Sequence, residues 1–258
     1  MTASVLSLDE IALQLHQAAR TQNPIAQIST QQELSIDQAY EVQNLLLQHR
    51  YKEGEKLIGL KMGFTSEAKM QQMGVNDLIW GRLTDAMLIE NAGIAQRSSY
   101  IHPRVEPEIC FRISKDIPGE LNEQEVIEYV DAVCTAIEVI DSRYQNFKFS
   151  LADVIADNCS STGFVLGNWQ AVPDSLNNLP MSLSINNEIV AAGNSNDIMN
   201  NPWRSLAAAT RLATQYGQPI TAGMIILAGA ATNAEFLHQD QETSATVETL
   251  GSTGFRFN

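Results

Sequence analysis

Apolar residues recur along this chain with two different periods, and the change from one to the other divides it. Over the first fifty residues the spacing is helical. Leu8, Ile11, Leu15 and Ala19 fall on one stripe, and Ala39, Val42, Leu45 and Leu46 on another. Each stripe begins behind a capping pair, Ser7 with Glu10 and Ser35 with Gln38, whose side chains satisfy the first free backbone N–H groups. The polar stretch TQNPIAQISTQQEL between them reads as a loop. From residue 57 the period shortens to two. LIGLKMG (57–63), VEPEICFRI (105–113), IEVIDSR (137–143), GFVLG (163–167), GMIILAG (223–229) and ATVETLG (245–251) are predicted strands. MSLSINNEIVAAG (181–193) predicts a hairpin turning at Asn186-Asn187. Helices are predicted over SEAKMQQM before Gly74, over NEQEVIEYVDAVCTA behind Asn122 and Glu125, over SLADVIADN behind Ser150, and over PWRSLAAATRLATQYG from Pro202 to Gly217. Strands and helices mix without strict alternation, so the class is α+β, with an N-terminal helical segment, residues 1–55, ahead of a sheet-rich domain, 56–258.

Composition narrows the roles. With 258 residues and 44% hydrophobic content the chain can build a sizeable core. A net charge of −14 argues against a general nucleic-acid or anionic-membrane partner. An acidic metabolite would then need a local cationic pocket or a metal. Cys110, Cys134 and Cys159 are widely spaced, form no zinc or disulfide pattern, and read as core fillers. MTASVLSLDE lacks a basic region followed by an apolar run, and no apolar run reaches membrane-spanning length, which leads to the expectation of a soluble cytoplasmic protein.

Chemistry enters at VEPEICFRI. As a strand it turns Val105, Ile109, Phe111 and Ile113 to one face and Glu106, Glu108, Cys110 and Arg112 to the other. Two carboxylates about 7 Å apart along a strand repel each other unless a cation lies between them. Glu138 shares its strand face with Ala136 and Ile140, a costly place for an unpaired acid. One cation would satisfy all three acids, and three carboxylates suit Mg²⁺ or Mn²⁺. The alternative is a solvated edge strand for Glu106 and Glu108, with Glu138 paired to Arg112 or Arg143. Lys61, between Gly59 and Gly63, is either a proton donor or carboxylate anchor beside such a site, or a surface lysine lying along the fold. Ser160, Ser161 and Thr162 follow a predicted helix and either hold a carboxylate or close a turn. His102 reads as structural.

The segments IGLKMGFTSEAKMQQMGV, HPRVEPEICFRI, IEVIDSRYQNFKFSLADVIADNCSST and AGMIILAG, in that order, resemble the fumarylacetoacetase-like superfamily, and within it the hydratase/decarboxylase branch of aromatic meta-cleavage catabolism. The resemblance runs from about residue 35 to the end and is strongest toward the decarboxylases. It implies a mixed β-sheet roll, catalytic over 56–258, with Glu106, Glu108 and Glu138 as ligands of Mg²⁺ or Mn²⁺, Lys61 as catalytic residue, and Ser160 and Ser161 in contact with substrate. The implied reaction is decarboxylation of a 2-oxo-enedioate, such as 2-oxo-3-hexenedioate, to a 2-hydroxydienoate and CO₂. Water addition by a hydratase at the same metal site is one alternative, and a non-catalytic subunit supporting a partner hydratase another. A homo-oligomer, and a complex with a hydratase, are implied partners. Residues 66–75 are expected to form a lid. Two departures stand out. Branch hydratases carry an aspartate in a PD[FY]G segment where this chain has LIWG, placing Ile79 at that position, and the usually Gly-containing late turn reads FLHQDQE after Ala228-Gly229.

Overall fold

Both N-terminal capping boxes form, opening α1 (Leu8–Thr21) and α2 (Ile36–Lys52) where the sequence places them. The computed structural model describes residues 5–65 and 77–258. The helix and lid expected within 66–75 lie outside the described residues. Beyond α2 come β1 (Leu57–Gly63), β2 (Ile79–Thr84), the two-residue β3 (Leu88–Ile89) and β4 (Ile94–Ala95), and β5 (Arg104–Ile113). Next are α3 (Glu123–Val126), β6 (Val130–Ile140), α4 (Leu151–Ala156) and β7 (Ser161–Leu166). The hairpin β8 (Pro180–Ile185) and β9 (Glu188–Asn194) precedes α5 (Pro202–Gln215), and β10 (Ile225–Ala230), β11 (Glu235–Phe236), β12 (Gln241–Val247) and β13 (Gly251–Phe257) close the chain.

Eight strands form one mixed sheet in the order β2-β1-β10-β5-β6-β7-β3, with β11 added beside β5. Five form a second, β4-β13-β12-β8-β9. The large sheet is curled. Its outer face carries Leu60, Phe111 and Ile226 against the helices, and Val105, Ile137 and Val139 against Leu183, Phe255 and Phe257 of the second sheet. Its inner face carries a smaller cluster, Cys110, Cys134, Ala136, Phe164 and Leu227, around the polar residues described below. The N-terminal helices share the outer core: Ile11, Leu15, Val42 and Leu47 join the same cluster as Leu60 and Trp80. Gln43 of α2 donates from its amide to the carbonyls of Trp80 and Ile155, both at 3.0 Å.

Two expectations are corrected and one strand is added. The helix predicted over 122–136 stops at Val126 with a 3₁₀ turn to Tyr129, and Val130 onward is strand. An apolar run such as VDAVCTA fits either period, and burial on both sides of a central strand decides it. ATVETLG is not one strand: β12 ends at Val247 and Thr249, at φ 71°, turns the chain into β13. Strand β2 was not predicted, although its six residues are all buried. The Asn186-Asn187 turn is as expected, with both residues at positive φ (52° and 65°), the geometry a two-residue hairpin requires.

Candidate active site

The antiparallel register of β5 and β6 sets Glu106 opposite Glu138 and Glu108 opposite Ala136. Directly opposed side chains start about 5 Å apart, so strand pairing alone gathers acids some thirty residues apart in sequence. One carboxylate oxygen from each of Glu106, Glu108 and Glu138 lies within 4.8 Å of the other two. All three are buried, Glu108 and Glu138 completely and Glu106 at 8% exposure. Strand β5 sits between β10 and β6, which rules out a solvated edge.

A break in the ladder between Leu227 and Ala230 frees one backbone donor. There Gly229, at φ +100°, donates its N–H to Glu108 Oε2 at 2.7 Å. A Cβ at this position would stand 2.3 Å from Thr65 Oγ1, so only glycine fits both the backbone and the space. Lys61, 3% exposed, places its ammonium 2.8 Å from Glu138 Oε2 and donates to the Cys159 carbonyl at 3.2 Å. It is not a surface lysine. Its flanking glycines make room for neighbouring strands rather than for a ligand: a Cβ on Gly59 would meet the Ile225 carbonyl at 2.2 Å, and one on Gly63 the Ile79 side chain at 2.9 Å. Neither arginine offered as a partner reaches Glu138. Arg112 pairs with Asp131 at 2.8 Å, and Arg143 with Asp157.

The electrostatics follow from this crowding. Burial, then the charges of Glu138 and Glu106, push the Glu108 carboxyl well above the usual carboxylate range against the pull of Lys61 and the Gly229 N–H. Burial likewise raises Glu138, with Lys61 opposing. Burial disfavours the Lys61 charge, but Glu138 leads the neighbouring acids in reversing that, and the net shift is upward, so Lys61 is an ammonium. Among the described residues Glu108 Oε1 has no hydrogen-bond partner, and the Glu138 carboxylate faces the Lys61 ammonium and the Ser161 hydroxyl. Buried acceptors of this kind cost several kcal/mol each unless a cation meets them. A hard oxygen donor set with orphaned lone pairs fits Mg²⁺ or Mn²⁺.

Cys159 reaches Lys61 because Asn158, Cys159 and Ser160 are consecutively left-handed, with φ of 49°, 52° and 59°. The Asn158 side chain fixes that turn, accepting from Arg82 N–H at 2.8 Å and donating to Arg82 C=O at 2.9 Å, across the glycine at 81. The Ser160 hydroxyl is buried and has no hydrogen-bond partner among the described residues. Ser161 lies close enough to Glu138 for its hydroxyl to lower that carboxyl's proton affinity, and touches Met87 Sδ at 4.0 Å. It also borders a separate cleft of about 400 Å³ beneath α1. Thr162 accepts from Arg143 at 2.7 Å and is structural. His102 sits apart, its Nε2 3.9 Å from Asp141 and its ring against Phe147. Ile79 is buried on β2, and Asp77 faces outward to Arg211 at 2.6 Å. In FLHQDQE, Asp240 takes the positive φ (62°) that glycine would otherwise supply. The Gly229 N–H and Cys159 C=O were invisible to side-chain reasoning. Arg104 was missed although the alternation Arg104-Glu106-Glu108 puts it on the acid face.

Comparison with known proteins agrees with this geometry. The profile described as fumarylacetoacetate (FAA) hydrolase C-terminal matches residues 56–258. The chain is 46% identical to a 4-oxalocrotonate decarboxylase of Pseudomonas sp, over 97% of this chain and 98% of that one. It is 34% identical to a 2-keto-4-pentenoate hydratase of Paraburkholderia xenovorans, over 86% and 84%. Among solved structures it superposes on 4-oxalocrotonate decarboxylase from Pseudomonas putida G7, complexed with magnesium and adipate, with a TM-score of 0.94, 33% identity and 97% coverage of both chains.

Proposed function

Because the chain belongs to the fumarylacetoacetate hydrolase family, we propose that it is a divalent-metal-dependent carboxy-lyase that converts 2-oxo-3-hexenedioate (4-oxalocrotonate) to a 2-hydroxydienoate and CO₂. The carrying observation is the buried cluster of Glu106, Glu108 and Glu138 with Lys61 against it. The near-full-length likeness to decarboxylases supports the choice of reaction. Glu106, Glu108 and Glu138 would hold Mg²⁺ or Mn²⁺, which supplies Lewis-acid stabilisation of negative charge at the substrate's keto-acid end. The chain's own groups set the rest. The Gly229 N–H fixes the Glu108 carboxylate, and Lys61 is held charged by Glu138 at a buried position, where an ammonium stabilises developing negative charge strongly. Cleavage of the bond to the distal carboxylate releases CO₂, and its electron pair moves through the double bond to the 2-oxygen. Lys61, charged beside the acid cluster, would give a proton to that oxygen to form the 2-hydroxydienoate. The unsatisfied Ser160 hydroxyl and Ser161 would complete the contacts to the keto acid. Ile79, apolar where branch hydratases place an aspartate, supports decarboxylation over water addition. Cytoplasmic location, homo-oligomers and association with a hydratase belong to the same reading. No helix among the described residues is long and apolar enough to cross a membrane.

The test is CO₂ release from 2-oxo-3-hexenedioate with Mg²⁺, set against a chelated control. Turnover is expected only with the ion. Lys61→Ala should bind Mg²⁺ normally yet lose turnover by at least about a hundredfold, the scale of acid–base assistance. Water addition to a 2-hydroxydienoate without CO₂ release would make the protein a hydratase instead.

A further inference from the structure

The acid face of β5 does not end at Glu106. Two residues earlier the same alternation presents Arg104, half-buried at the more open end of the cluster. Its guanidinium lies between two aromatic rings, 4.3 Å from the centroid of Phe147 and 4.1 Å from that of Phe236. Both rings are placed with effort. Phe147 and its neighbour Asn146 are left-handed, at φ 55° and 59°, a costly conformation for an aromatic residue. Phe236 is the cross-strand partner of Arg104, brought there by the two-residue strand β11 inside the divergent FLHQDQE region. Yet Arg104 makes no hydrogen bond or ion pair to any described residue, and its Nε is buried without a partner. Glu106 and Glu235 act on it only through their charge at a distance.

Such a clamp leaves a cation oriented, partly stripped of water and unspent. Among the described residues the cation paired within the acid cluster is Lys61, through Glu138, and Arg104 is not committed to that pairing. We propose that Arg104 is a specificity-determining residue that receives the second carboxylate of a dicarboxylate substrate whose keto-acid end lies at the acid cluster. This rests on the decarboxylase reading for the substrate's chemistry. A planar guanidinium held beside two rings is suited to a bidentate carboxylate pair. As CO₂ forms, negative charge leaves that carboxylate for the 2-oxygen, so Arg104 binds the ground state at least as well as the transition state. Its loss should raise KM and leave kcat within a few-fold.

The test uses the Mg²⁺-loaded protein and two saturated probes, adipate and hexanoate, titrated by calorimetry. The wild type should prefer adipate by tenfold or more. Arg104→Gln should abolish the preference by weakening adipate alone, and Phe236→Leu, a change at a half-exposed ring, should reduce it partway. A preference that survives in Arg104→Gln, or is absent from the wild type, overturns the proposal. CO₂ release by the wild type keeps the two readings separate. Release with an unaltered preference in Arg104→Gln defeats the anchor alone. No release, but a preference lost in the variant, defeats the decarboxylase reading and leaves the anchor standing.

Discussion

At the scale of single residues, burial decides which charges matter. Asp157 closes α4 and takes hydrogen bonds from the backbone and side chain of Arg143, within a fully buried network that holds the left-handed turn at 158–160. Burial nevertheless raises its carboxyl from 3.8 to about 6 against the pull of Arg143. The folded protein therefore holds this proton more tightly than the unfolded chain. The contribution is present in full below the unfolded value and is lost as pH rises through about 6. That displacement corresponds to about 3 kcal/mol. Urea denaturation of the wild type and Asp157→Asn should show their stability difference moving by about that amount against the wild type between about pH 4 and pH 7. A constant difference would mean that Arg143 compensates the burial completely.

At the scale of elements, the same turn shows why part of the site was legible in the sequence and part was not. Side chains on regular strands announce themselves, because a period of two places Glu106 with Glu108 and leaves Glu138 stranded among apolar residues. Capping boxes did the same for α1, α2 and α4. The misread stretch at 130–136 is apolar but for Asp131 and Thr135, too short and too uniform a run to show one period clearly. Backbone groups carry no sequence signal of their own. The Gly229 N–H is turned by a ladder break, and the Cys159 carbonyl by three left-handed residues of which none is glycine. Ser160 concentrates the cost, pairing a strained φ of 59° with a buried hydroxyl lacking a partner. Removing both burdens should stabilise the fold while removing a substrate contact that we propose. Ser160→Gly is expected to gain about 1 kcal/mol in thermal or urea unfolding, after the added freedom of glycine in the unfolded chain is subtracted. Its KM should rise about tenfold. A destabilised variant with unchanged KM would make Ser160 a structural residue and remove it from the site.

For the whole molecule, the site is a debt carried in the middle of its largest sheet. The inner face of β5 and β6 holds three buried acids with Lys61 paired to one of them, and the N-terminal helices, both sheets and α5 all pack around those strands. A divalent ion bound there stabilises only the folded state, so its effect appears in global unfolding: at a hundredfold excess over Kd it is worth about 2.7 kcal/mol, or about 5–10 °C in Tm for a chain of this size. Glu108→Gln separates this from a general salt effect. Glutamine relieves the repulsion that Glu138 and Glu106 exert on Glu108, and it leaves the Lys61–Glu138 pair in place. Without metal the variant should therefore unfold at or above the wild-type temperature, a reversal of the ordinary loss on mutating a fully buried residue. With Mg²⁺ the order should invert if Glu108 holds the ion as we propose, because the variant then lacks a charged oxygen ligand and gains little from it. Scanning calorimetry of both proteins, with Mg²⁺ and with chelator, reads all four states. A variant that is less stable without metal yet gains as much from Mg²⁺ as the wild type would show that Glu108 serves packing alone and that the ion binds elsewhere.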